Sequence, residues 1–96
     1  MHAVIRSYSG HGANALFDLL EERTGDVEET MRAIRGFISY ALVRTGEGGV
    51  SVTVCEDKAG TDESARRARE WVERNAADAG VGAPRVTEGP VFLYSR

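Results

Sequence analysis

The stretch "FISYALVRTGEGGVSVTVCE", residues 37–56, constrains the fold more than any other part of the chain. Two runs rich in branched and aromatic residues flank "GEGG", whose glycines permit the positive φ angles of a tight hairpin. The alternation predicts strands over 37–45 and 50–56. In the second, Val50, Val52 and Val54 share one face and Ser51, Thr53 and Cys55 the other. A hairpin this apolar cannot stand alone in water, so the flanking segments must supply its cover.

On the N-terminal side, "HAVIRSY" over 2–8 alternates as a strand, with Ala3, Ile5 and Ser7 on one face and His2, Val4, Arg6 and Tyr8 on the other. After the break "SGHG", Ala13, Leu16, Phe17 and Leu20 fall at helical spacing over 13–22, and Gly25 is expected as a left-handed cap. A second helical piece is expected from Asp26, with Glu29 in a capping-box position and Val27, Met31 and Ile34 as one stripe, ending at Gly36. On the C-terminal side, Thr61 is the expected N-cap of a helix reaching about Ala79. Its inner stripe is Ala65, Ala68, Val72, Asn75 or Ala76, and Ala79, with Trp71 beside it. "GVGAP" is a loop, and "RVTEGPVFLYS" is a last strand with an irregularity at Gly89-Pro90.

The order strand, helix in two pieces, strand, strand, helix, strand is the split β-α-β pattern. It predicts an α+β ferredoxin-like βαββαβ sandwich over residues 1–96, with a four-stranded antiparallel sheet and helices on one face. The strands carry apolar side chains on both faces, and the helices cover only one. An open face bearing Ile38, Tyr40, Leu42 and Phe92 is therefore expected to meet a second copy of the chain.

With these elements in place, the sequence resembles the dimeric α/β barrel superfamily, which includes antibiotic biosynthesis monooxygenase-like domains and small stress-responsive proteins. The features are the opening strand, "IRGFISYALVRTGEGGVSVTVCED" as a Gly-Phe-led hairpin, and "TDESARRAREWVERN" as a helix with an internal tryptophan. The resemblance covers nearly the whole chain. It implies a homodimer joined through the sheet face into an α/β barrel, and a cofactor-independent, monooxygenase-like action on a small aromatic or other organic molecule. The alternative is a non-catalytic ligand-binding or stress-related dimeric module. Heme-degrading members resemble one another in an asparagine on the first strand, a tryptophan and a later histidine. Here Trp71 matches, but the first strand has no asparagine and no histidine follows His11. The resemblance thus implies no cofactor.

Composition removes several other classes. A net charge of −3 and no long apolar run speak against nucleic-acid and membrane partners. The basic cluster "ARRARE" is read as a solvated helix face with Glu63, Glu70 and Glu73 as neighbours. One cysteine, no CxxC and no clustered histidines supply neither a disulfide nor a metal site, and the expected location is the cytoplasm. Cys55 is followed by Glu56 and Asp57, which disfavour a thiolate, so it is read as a buried strand end. His11, between glycines and able to titrate near neutrality, is the leading catalytic candidate, with Tyr8 and Tyr40 beside it. Arg6, Arg44, Trp71 and Asn75 are the candidate ligand-binding residues, since arginines on strand faces shared with tyrosines can orient an anionic or phenolic ligand.

Overall fold

A computed structural model describes residues 1–96. It contains β1 (His2–Ser9), α1 (Ala13–Glu22), α2 (Thr24–Arg32), β2 (Phe37–Thr45), β3 (Gly48–Cys55), α3 (Lys58–Asn75) and β4 (Arg85–Pro90), with a single 3-10 turn over Ala77–Ala79. The strands pair antiparallel in the order β2-β3-β1-β4, which is the ferredoxin-like α+β arrangement expected from the element order.

Cross-strand register decides which side chains meet the helices, because directly opposed residues share a face of the sheet. Tyr40, Thr53 and Val4 form one inward row, and Leu42, Ser51, Arg6 and Val86 form the next. Against them α1 buries Ala13, Leu16, Phe17 and Leu20, as its spacing predicts, and α2 buries Val27 and Met31. From α3, Ala68 and Trp71 complete the core, while Gly60, Thr61 and Ser64 let that helix approach the sheet closely. Gly49 is fixed by packing: a Cβ there would collide with the Phe17 ring.

Several expectations are corrected. Gly25 is no left-handed cap; α2 begins at Thr24 and continues α1 after a break at Arg23, so Gly25 lies inside a helix. Neither Asp26 nor Glu29 caps that helix. Asp57, not Thr61, caps α3 by accepting from the Gly60 amide at 3.0 Å. Thr61 is buried instead and sits 2.9 Å from His2 Nδ1. The helix stops at Asn75, short of Ala79, and β4 stops at Pro90, so Phe92 lies outside the sheet and is fully exposed.

The face expected to meet a second copy also changes. Tyr40 and Leu42 point toward the helices and pack against the core, because a bulge between Phe37 and Ser39 resets the alternation of β2. The face without helices carries Ile5, Ala41, Val43, Val50 and Val52, of which Ile5 and Val43 are 37% and 49% exposed. No helix is long and apolar enough to cross a membrane.

Candidate functional site

Between the sheet and its helices lies a narrow cavity of about 30 Å³. Its floor is polar: Arg6 and Tyr8 from β1, Tyr40 from β2 and Ser51 from β3. Its roof is apolar, made by Phe17 and Leu20 of α1, Val27 and Met31 of α2, and Trp71 of α3. The arrangement follows from sequence: polar side chains alternate inward on the strands beside Leu42, while the amphipathic helices present apolar side chains with Thr30 of α2 the one exception. Arg6, Tyr8 and Val72 also line a second, open space of about 410 Å³, walled by α3, by the Val81–Pro84 loop and by Val86 of β4. The inner cavity therefore borders a cleft that reaches the surface.

Arg6 is the unusual member. It is only 3% exposed, yet its Nε and Nη1 have no hydrogen-bond acceptor and it joins no ion pair. Ser51 Oγ, directly across the sheet from Arg6, and Thr53 Oγ1, one inward row away, are also buried without partners. Burial pushes the Tyr40 phenol up to about 12, the nearby Arg6 guanidinium pulls in the opposite direction, and Tyr8 adds to the rise. Tyr40 is thus a neutral hydrogen-bond donor at physiological pH.

The structure brings Arg6, Tyr8, Tyr40 and Trp71 together and leaves the other candidates elsewhere. His11 is exposed, its ring beside Gly80, and it lines neither space. Arg44 faces α1, bound to Asp18 at 2.8 Å and Glu21 at 3.3 Å. Asn75 Nδ2 donates to the Trp71 carbonyl at 3.0 Å, at the end of α3. Cys55 is fully buried, and desolvation, helped by Asp57, pushes its thiol pKa up, away from a thiolate. The Trp71 indole N–H donates to Asp26 Oδ2 at 3.2 Å, which fixes the ring as a wall of the cavity. Ser51 and Thr53 were not singled out in the sequence. The signal was the polar face of β3; what was missing was the register that sets Ser51 opposite Arg6.

No family model matches the chain, and no curated protein matches it. Solved structures do. The heme-degrader MhuD of Mycobacterium tuberculosis, with two hemes in its active site, is 22% identical over 100% of both chains with a TM-score of 0.68. SnoaB, a cofactor-independent oxygenase of Streptomyces nogalater, is 14% identical over 97% of this chain and 94% of its own, with a TM-score of 0.65. A dimeric ferredoxin-like protein from an uncultured marine organism is 12% identical over 99% and 95%, again with a TM-score of 0.65. At these identities the likeness shows the fold: this chain has the ferredoxin-like fold seen in heme-degrading and monooxygenase-like proteins, in keeping with the resemblance read from its sequence.

The residues present do not fit a heme. No histidine lines either space, and the inner cavity is far smaller than a porphyrin.

Proposed function

We propose that this chain is a monooxygenase-like protein that admits a small organic molecule through the α3–β4 cleft to the cavity at Arg6, Tyr8 and Tyr40. The observation that supports the reading is continuity: Arg6, Tyr8 and Val72 line both the inner cavity and the open cleft, so a molecule seated in the cleft reaches the edge of the polar floor. Concave, largely apolar spaces with a few converging polar groups are where small ligands bind. Arg6 and the neutral Tyr40 hydroxyl would hold negative charge on a substrate oxygen as electrons move toward dioxygen, with no cofactor needed to store them.

The reading includes a homodimer. It is supported by the helix-free sheet face bearing Ile5, Val43, Val50 and Val52, and by the dimeric neighbour of the same fold.

A second reading, binding without turnover, is favoured by one observation: the inner cavity lining contains no carboxylate and no imidazole, and the one carboxylate of the adjoining cleft is Glu73 on α3. An oxygen electrode separates the two. Uptake of dioxygen with small phenols, lost in Tyr40→Phe or Arg6→Gln, supports the enzyme; saturable binding without uptake supports the binding module.

A further inference from the structure

We infer that the site is built for a small organic acid whose carboxylate pairs with the Arg6 guanidinium. The inference rests on the ligand-pocket reading above and names the chemical class of the ligand.

A guanidinium carries five N–H donors and keeps its charge at any physiological pH, so burial cannot neutralise it as it would a lysine or a histidine. Of the other ten arginines, Arg35, Arg69, Arg74, Arg85 and Arg96 are exposed and solvated, and the remaining five are paired. Arg23, Arg32, Arg44, Arg66 and Arg67 each meet a carboxylate, although their side chains are 30% exposed or more. Arg6, the most deeply buried of these six, has none. Water can satisfy the Ser51 and Thr53 hydroxyls, but it cannot supply the missing negative charge. Tyr40 does not supply it either, because its phenol stays protonated.

Size selects among anions. Each buried water needs about 10–15 Å³ of such space, so a cavity of about 30 Å³ holds two water-sized atoms, the bulk of a carboxylate's two oxygens. The remainder of the ligand then lies in the 410 Å³ cleft, against Val72, Val81, Pro84 and Val86, with Arg69 and Glu73 of α3 also in its lining. A carboxylate accepts from a guanidinium in a bidentate fork and leaves an oxygen lone pair for the Ser51 hydroxyl across the strand. The ligand class is therefore a monocarboxylic acid with a compact apolar body. Such a substrate arrives already ionised, which agrees with a cavity that stabilises charge and contains no base.

The test is side-chain NMR of the Arg6 Nε–H during titration with sodium formate, sodium benzoate and benzamide. Formate and benzoate are expected to shift the signal saturably, with benzoate binding at least about tenfold more tightly than its neutral amide. Arg6→Gln is expected to abolish benzoate binding and to unfold at a higher temperature than the parent, since it removes an unpaired buried charge. Benzamide binding as tightly as benzoate overturns the acid while leaving the pocket reading in place. A signal that neither carboxylate moves also overturns it, and oxygen uptake with neutral phenols then decides the pocket reading separately.

Discussion

The Trp71 indole donates to Asp26 Oδ2 at 3.2 Å, and the same oxygen accepts from Arg23 Nη2 at 2.7 Å. One carboxylate thus joins α3 to the start of α2, with the Arg23 guanidinium 5.7 Å above the indole. Asp26→Ala leaves the indole N–H without its acceptor and is expected to cost about 1–2 kcal/mol. Asp26→Asn keeps an acceptor and should recover most of that loss. Urea denaturation followed by Trp71 fluorescence reads both variants, and equal stability of the alanine variant and the parent would contradict the tether.

Phe17 packs over Gly49 so closely that a Cβ on the glycine would collide with the ring. Gly49→Ala is expected to destabilise by about 1–3 kcal/mol, the usual cost of an overpacked core. Phe17→Leu in the same background should restore part of it, so that the double-mutant cycle gives a coupling of opposite sign to the single losses. Strict additivity in thermal denaturation would show that the two residues do not meet.

Tyr40 sets an alkaline limit on stability. Its pKa is raised in the folded state, from the usual 10.0 to about 12, chiefly by burial. Its contribution is therefore complete below about pH 10, declines as the unfolded phenol ionises first, and levels off above about 12. Tyr40→Phe is expected to flatten stability against pH in that window. Arg6→Gln is expected to push the Tyr40 midpoint higher still, because the guanidinium favours the phenolate; the absorbance of tyrosinate during alkaline titration reads both effects.

The helix-free sheet face predicts the outcome of charge insertion. Val43→Asp combined with Val52→Asp places two carboxylates on the patch that a second copy would cover, and desolvating them is costly. Sedimentation should show monomer or aggregate in place of dimer. An unchanged dimer would move the interface elsewhere.

Much of this was legible in the sequence. The periodicity of "ANALFDLLEE" named every buried residue of α1, and the alternation of "VSVTVC" separated the two faces of β3. What failed did so for identifiable reasons. The bulge at the start of β2 moved Tyr40 and Leu42 from the expected outer face to the inner one, and a bulge leaves no trace in a run of apolar residues. Glycine's preference for left-handed caps points to a stop at Gly25, yet the break comes at Arg23, whose side chain binds Asp26. The site was half visible. Arg6, Tyr8, Tyr40 and Trp71 were identified as residue types, but pairing separates Arg6 from Arg44. Both face inward on strands, and only Arg44 lies opposite carboxylates.

Arg6 and the adjoining cleft are proposed to hold a small organic acid. Native mass spectrometry of the protein purified from its own source tests it most directly, with Arg6→Gln expressed there as the control. The expected result is a dimer that carries a small anionic molecule, released on denaturation and absent from the variant. A chain that carries no such molecule, or carries the same one after Arg6 is replaced, would contradict it.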